Sequence, residues 1–166
     1  QRVGRRPIRC NRQFGFTGER SHNTRNTMDK NTLIGKTITA FEMSNDRKAM
    51  RFVVADGEPV VALCDADCCS ETWVEHVSLP ARGFPALVLD AADIEMPDLG
   101  QMPDRDVVAY YGFKVVTDKG EMVVDYRNDS NGYYGGNLSW PGQRHYGGVY
   151  GQNVPVLEWR GVTQDE

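Results

Sequence analysis

The chain lacks the features by which membrane and secreted proteins are usually recognised. Its longest apolar runs, such as Phe84 to Leu89, are far shorter than the ~20 residues that a membrane-spanning helix needs. The amino-terminal segment carries arginines but no apolar stretch typical of a secretory signal. Only four cysteines occur in 166 residues, too few for the dense disulfide framework of a small secreted scaffold. We therefore expect no membrane partner, and a protein that works inside a cell or within a particle.

The sequence also lacks the common catalytic and nucleotide-binding motifs. It contains no G-x-x-x-x-G-K-[ST] loop, no G-x-G-x-x-G after a strand, no H-E-x-x-H and no G-x-S-x-G. Only three histidines, His22, His76 and His145, are present to serve as general bases or metal ligands. We therefore predict no catalytic residue, no cofactor and no metal ligand.

Charge divides the chain into two parts. Seven arginines and one glutamate give residues 1–27 a net charge of +6, so the whole-chain charge of −4 leaves −10 for residues 28–166. The segment 1–27 has no apolar periodicity and is predicted to be an extended basic arm that orders only against another surface. Because Met28 begins a stretch typical of a protein start, the arm is either native or an appendage.

The body, residues 28–140, is predicted to be a mainly β domain. If it contains helices at all, it would be at most an α+β domain. Residues 37–43 are rich in β-branched side chains, and Met50, Phe52 and Val54 alternate on one face. The clearest signal is a long apolar alternation from residue 107 to 126 around a four-residue turn. We expect a compact antiparallel sheet of hairpins or a meander, with short helical turns.

Several shorter segments carry weaker predictions. Asp65 to Asp67 is interpreted as a turn, and Thr72 to Val77 as a strand with Trp73 and Val77 on the same face. The apolar run from Ala86 to Ile94 fits a strand or a short helix.

The carboxyl-terminal part is rich in glycine and tyrosine. Residues 132–151 are interpreted as irregular loop, because glycine weakens strand interiors. The tail, residues 141–166, includes a possible edge strand from Val154 to Trp159, where Pro155 favours an edge position.

Two polar segments concentrate the residues capable of recognition, Cys64 to Val77 and Asp129 to Tyr134. We expect them to meet on the β scaffold and to form a gripping surface rather than a reaction centre, since tyrosines give large contact area at low entropy cost. The candidate binding residues, including three arginines of the arm, are Asp67, Cys68, Cys69, Glu71, Asn131, Gly132, Tyr133, Tyr134, Arg5, Arg6 and Arg9.

The same residues allow other interpretations. Cys64, Cys68 and Cys69 with His76 offer zinc-ligand types, but their spacing differs from that of structural zinc sites. They could instead be structural, or include a reactive thiol. The acids could form a solvated surface or imitate nucleic-acid phosphate. The arm could neutralise phosphates or wrap an acidic neighbouring subunit.

Three segments carry a resemblance to a known family: the opening strand Leu33 to Ile38, the Asp67-Cys68-Cys69 segment, and Ser130-Asn131-Gly132-Tyr133-Tyr134. In this order they resemble a family of small, uncharacterised bacteriophage proteins. The resemblance spans roughly residues 33 to 138. It implies a phage origin and a compact, mostly β domain, and it implies no activity. The chain departs from the family pattern in its arm and in the Gly/Tyr-rich segment after Trp140.

The sequence is consistent with three functions. The leading one is a non-enzymatic, phage-encoded binding protein that acts on a host macromolecule, of the host-takeover or anti-defence type. The second is a virion structural or decoration component whose arm clamps neighbouring subunits. The third is a small cysteine-dependent enzyme or metal-binding protein. The expected partner is a protein, either a host factor or an identical or virion subunit, with nucleic acid possible through the arm. The expected location is the host cytoplasm or the virion.

Overall fold

The structure is a computed structural model that describes residues 30–67, 70–96, 107–132, 135–140, 144–145, 148–149 and 158–164. It opens with a 3-10 turn, Lys30–Leu33, and continues in strands. These are β1 (Thr37–Ser44), β2 (Ala49–Val54), β3 (Val60–Ala66), β4 (Glu71–Ser78), β5 (Ala86–Glu95), β6 (Val107–Thr117), β7 (Gly120–Ser130), β8 (Gly136–Ser139), β9 (Arg144–His145), β10 (Gly148–Val149) and β11 (Trp159–Gly161). No helix of this described part is long and apolar enough to cross a bilayer.

Nine of these strands form one antiparallel sheet, which confirms the mainly β prediction. The strand order is β4-β7-β6-β5-β1-β2-β3-β8. The last strand, β11, pairs with the part of β1 from Glu42 to Ser44, while β5 pairs with β1 at Thr37 and Ile38. The remaining two strands, β9 and β10, pair with each other.

The β6–β7 hairpin is the longest unit of the sheet. Its eleven residue pairs run without interruption from Val107 opposite Ser130 to Thr117 opposite Gly120. Gly120 has φ +120, a conformation that favours glycine and that closes the turn. The predicted alternation is confirmed, because the even-numbered residues of β7 from 122 to 130 are buried while the odd-numbered ones from 123 to 129 are half-buried.

The core is built around aromatic side chains. Phe52 lies at its centre, with its ring centroid 5.1 Å from Phe41 and 6.3 Å from both Phe113 and Trp140. All four residues are almost fully buried, and burial of each such side chain stabilises the fold by about 1.5–3 kcal/mol. Trp140 follows β8 directly, so residues after the cysteine stretch complete the core.

The sheet curls until its edge strand β4 lies beside the first hairpin. The amide of Val74 donates to the carbonyl of Arg47, 2.8 Å away, in the turn between β1 and β2. The Thr72 hydroxyl donates to the carbonyl of Asp65 near the end of β3, at 2.9 Å. These bonds place the starts of β4 and β8 and the ends of β3 and β7 in one corner of the molecule.

Two local predictions are wrong at this corner. Asp65 and Ala66 are not in a turn, since they continue β3 and pair with β8. Trp73 and Val77 do not share a face, because the β4–β7 register shifts between Val74 and His76. This bulge adds one residue, Glu75, so Val77 stays buried while Trp73 lies on the opposite, half-buried face.

Other local predictions are resolved or corrected. Residues 86–95 form a strand, which settles the choice left open for that run. The glycine-rich segment contains the short strand β8, where only irregular loop was predicted. The turn after β2 spans residues 55–59, and Gly57 has a positive φ of 99° within it. The predicted strand from Val154 to Trp159 lies largely outside the described residues, and the last described strand is Trp159–Gly161.

Candidate functional site at the corner of β3, β4, β7 and β8

Strand register brings the two polar segments together. Glu71 at the start of β4 is opposite Asp129 near the end of β7, and Thr72 is opposite Asn128. On the other side of the corner, Ala66 at the end of β3 is opposite Gly136 at the start of β8. The β3–β4 and β7–β8 connections therefore leave the sheet next to each other.

The side chain of Asn128, on β7, helps to hold the β4–β7 and β3–β8 strand pairs together. The residue is completely buried, and its side-chain amide donates to the Thr72 hydroxyl at 2.9 Å and to the Ser70 hydroxyl at 3.1 Å. Those hydroxyls donate onward to the carbonyls of Asp65 and Asp67, both at 2.9 Å. These donated bonds tie together the backbone on both sides of the corner, while the Oδ1 of Asn128 is buried and accepts no hydrogen bond from the described residues. Sequence reasoning did not single out Asn128.

Backbone bonds join the two connections directly. The Asp67 amide donates to the Gly135 carbonyl at 3.2 Å, and the Gly135 amide faces a carboxylate oxygen of Asp67 at 3.4 Å. Ser139 on β8 donates its hydroxyl to the Asp65 carboxylate at 3.0 Å. The β7–β8 connection therefore cannot move away from the β3–β4 connection without breaking these bonds.

Glycine at position 136 allows this close approach. A Cβ on Gly136 would overlap the Thr72 hydroxyl and would lie 3.0 Å from the Asn128 amide nitrogen. The neighbouring Gly135 is also closely packed, with the Tyr111 hydroxyl 3.3 Å from the position of its missing Cβ. The sequence signal for this contact was the glycine pair itself, which indicates close backbone approach.

Next to these bonds lies an exposed, polar set of residues, two of them acidic, which we call the corner surface: Asp67, Glu71, Asn131 and Gly132. Glu71 forms an ion pair with Lys48 at 2.7 Å, with its carboxylate still 62% exposed. Gly132 has φ +89 and its amide donates to the Ser130 hydroxyl at 3.1 Å, so the turn after β7 has a defined shape. The described contacts between the two connections are Glu71 opposite Asp129 and Asp67 bonded to Gly135, and the binding role of the four residues stays a prediction.

The remaining candidate binding residues lie outside the described residues. Cys68 and Cys69 belong to the β3–β4 connection, and Tyr133 and Tyr134 to the β7–β8 connection. Arg5, Arg6 and Arg9 of the arm are likewise outside them.

Cys64 has the chemistry of a structural thiol. Burial, together with the nearby negative charge of Asp46, raises the pKa of its thiol from 9.0 to about 12. The sulfur lies 4.0 Å from the carbonyl oxygen of Arg47. At neutral pH this group is a neutral thiol rather than the thiolate that acts as a nucleophile. Within the ranges that the structure describes, no three His, Cys, Asp or Glu side chains converge on a common point.

Comparison with known proteins assigns the chain to a family. Residues 31–140, well over half of the sequence, match a family described as a domain of unknown function, DUF7448. This span includes strands β1 to β8 and both connections of the corner. Neither the curated proteins nor the solved structures include a match to this chain. The chain therefore belongs to the DUF7448 family of domains of unknown function.

Proposed function

We propose that this protein is a non-enzymatic binding protein, encoded by a bacteriophage, that acts on a host macromolecule through the corner surface. The proposed location is the host cytoplasm. The phage origin follows from the family resemblance in the cysteine and Ser130–Tyr134 segments. The binding role follows from the arrangement of the corner.

One observation carries the proposal: a fully buried amide, Asn128, links the two connections that hold the candidate recognition residues. Exposed loops held by a rigid sheet are a common design for recognition, because little conformational entropy is lost when a partner binds. The buried Asn128 amide and the hydroxyls of Ser70 and Thr72 are more than a simple turn requires. A binding role for the two connections would explain their presence.

The charge of the surface favours a basic partner. Asp67 and Glu71 are exposed at the corner, and the body to which they belong has a net charge of −10 over residues 28–166. Complementary charge raises association rates and selects partners more than it raises affinity. A basic groove on a host protein, of the kind that holds nucleic-acid phosphates, is the proposed target.

The chemistry of Cys64, the cysteine of the Cys64–Cys69 cluster within the described residues, gives no support to the enzymatic alternative. A thiol whose pKa is raised to about 12 is protonated at neutral pH and is a poor nucleophile. Its nearest described polar contact, the Arg47 carbonyl, cannot act as a base that would activate it.

The test is capture of host proteins from lysate by the full chain, compared with the variant Glu71→Gln/Asn131→Ala. Both residues are exposed, so the fold should survive the changes. The matched control is Glu58→Gln, an exposed glutamate in the loop at the far end of β3. We expect one stoichiometric partner that the control retains and the corner variant loses. The absence of a stoichiometric partner, or equal capture by all three proteins, would contradict the proposal.

A virion component is the second candidate. The opposite net charges of residues 1–27 and 28–166 favour contact between the arm of one subunit and the body of another. Mass spectrometry of purified particles tests this candidate, since a virion component must be present there in a fixed copy number. Its absence from the particles would exclude the role.

A further inference from the structure

A second surface lies on the face of the sheet that points away from the core. Trp73 on β4 is opposite Arg127 on β7, and Arg127 is opposite Tyr110 on β6. The Arg127 guanidinium lies 4.6 Å from the centre of the Tyr110 ring. All three side chains are half-buried. We call this row, together with the acids that flank it, the outer face.

The acids on the outer face outnumber their cations. Arg127 lies 3.3 Å from Asp125 and 3.7 Å from Glu75, and Glu75 also accepts a 2.7 Å hydrogen bond from the Trp73 indole. Asp129 follows on the same side of β7. The Arg127 guanidinium therefore pairs with two carboxylates, Asp125 and Glu75, and Asp129 adds a third acid on this face.

Buried polar atoms on this face have no partner among the residues that the structure describes. One carboxylate oxygen of Asp125 and one of Asp129 are buried and accept no hydrogen bond, and the Nε of Arg127 is buried and donates none. Leaving such groups unsatisfied costs about 1–3 kcal/mol each. Because these atoms are closed to solvent, the side chains must turn outward before a bound peptide segment with cationic side chains can donate to the two carboxylates and its backbone carbonyls can accept from Arg127.

Arginine fits this face better than lysine. Its planar fork binds carboxylates through two parallel hydrogen bonds, and it stacks on aromatic rings such as those of Trp73 and Tyr110. The chain itself supplies such a segment, since residues 1–27 contain seven arginines and a single acid.

The arm also begins close enough to the outer face to reach it. Lys30, the first described residue, forms an ion pair with Asp93 of β5, and Asp93 is opposite Phe113 of β6. Tyr110 is three residues along β6 from Phe113, about 10 Å at the rise of a strand, and its side chain is on the opposite face of the sheet from Asp93. Ten extended residues span roughly 33 Å, so a part of the arm is long enough.

We propose that residues 1–27 dock on the outer face of their own chain, with arginines on Asp125 and Asp129. The inference stands apart from the proposed function, because it concerns the outer face and not the corner surface. Its failure would leave the capture experiment unaffected.

Limited trypsin digestion of the full chain tests it, because every arginine of the arm except Arg6, which precedes Pro7, is a cleavage site. Mass spectrometry follows the rate of cleavage within residues 1–27 for the unchanged chain, Asp125→Asn/Asp129→Asn, and the control Asp56→Asn in the exposed loop after β2. We expect the double variant to be cleaved about tenfold faster, corresponding to about 1.4 kcal/mol of lost docking, and the control to match the unchanged chain. Equal rates for all three would overturn the proposal.

The same digestion distinguishes docking of the arm within one chain from its docking on a second copy of the chain or on nucleic acid. Protection that does not change with protein concentration supports docking within one chain, whereas protection that rises with concentration assigns the arm to a second copy and overturns it. Protection that requires added duplex DNA assigns the arm to nucleic acid and also overturns it.

A photochemical experiment does not depend on how the acid variants fold. Phe14 of the arm is replaced by p-benzoylphenylalanine, and the crosslinked peptides of the full chain are mapped after irradiation. Crosslinks to the peptides that contain Trp73, Tyr110 or Arg127 support the proposal. Crosslinks confined to other parts of the sheet would contradict it.

Discussion

At the scale of single residues, the turn between β1 and β2 shows how one hydroxyl organises its surroundings. Ser44 is buried, accepts a hydrogen bond from the Ala49 amide at 2.9 Å, and lies 2.5 Å from the Asp46 carboxylate. The Lys48 amide donates to the same carboxylate at 3.0 Å. The hydrogen bond from Ser44, followed by those from the backbone and by the charge of Lys48, holds the pKa of Asp46 below its ordinary value of 3.8, although burial partly opposes this.

Replacement of Asp46 by Asn should therefore lower stability in a pH-dependent way. A carboxyl group with a depressed folded-state pKa stabilises the fold above its unfolded pKa, and that contribution is lost as the pH falls through the folded pKa. We expect Asp46→Asn to melt below the unchanged chain at pH 7 and the difference to shrink below about pH 4. Melting curves across pH 2–7 test this, with Asp56→Asn in the exposed loop as the control. A constant difference across that range would contradict the account.

Cys64 should be inert in the folded protein. Because its thiol pKa is raised to about 12, very little thiolate is present at pH 8. We expect iodoacetamide to leave the Cys64 peptide unmodified under native conditions and to modify it fully in urea, as judged by peptide mass spectrometry. Rapid native modification of Cys64 would revive the reactive-thiol hypothesis.

Asn128 should be a major source of stability at the corner. Asn128→Ala removes both hydrogen bonds to Ser70 and Thr72 and leaves a cavity, so we expect the free energy of unfolding to fall by about 2 kcal/mol or more. The control is Asn137→Ala, an exposed asparagine on β8, for which a change within about 0.5 kcal/mol is expected. Equal effects in urea denaturation would show that the buried amide does not hold the corner.

The position of Asn128 could have been predicted from the sequence. Met122, Val124 and Tyr126 alternate on the apolar face of β7, and the same period places residue 128 inward. A polar residue at an inward position indicates a buried hydrogen bond. Its partners could not be predicted, because Ser70, just before β4, and Thr72, in β4, are more than 50 residues away in the sequence.

At the scale of elements, β8 depends on a glycine that packs against β4 and β7. Gly136→Ala would force its Cβ into the Thr72 hydroxyl, so we expect a loss of about 1–3 kcal/mol and weaker protection of the β3–β8 hydrogen bonds. The matched control is Gly161→Ala on β11, where a Cβ would have open space. Denaturation with hydrogen exchange measures both effects. A Gly136→Ala protein as stable as Gly161→Ala would contradict the close approach.

Strand prediction succeeded where the alternation was long and failed where the pairing was irregular. The β6–β7 hairpin has a continuous register that the sequence pattern mirrors. On β4 the extra residue at Glu75 moves Trp73 to the other face, and no local pattern indicates a bulge. Strand β8 was missed because its glycine is there for tertiary contact, which overrides local β preference.

At the scale of the whole molecule, the curled sheet explains why two distant segments could be predicted to meet. Both segments follow or precede strands, and strands of one small sheet end close together. Which strands meet depends on the curl that brings β4 beside β3. This closure is set by the packing of Phe52, Phe113 and Trp140 in the core, which local sequence patterns do not encode.

The affinity of the captured partner for single corner variants tests the central claim most directly. Titration calorimetry compares Glu71→Gln, Asn131→Ala, their combination and the control Glu58→Gln. If the two connections form one binding surface, each single change weakens binding by about tenfold and the pair shows a combined effect that differs from the sum, as expected for residues that share a partner. If both single variants bind as tightly as the control, the corner is not the binding surface.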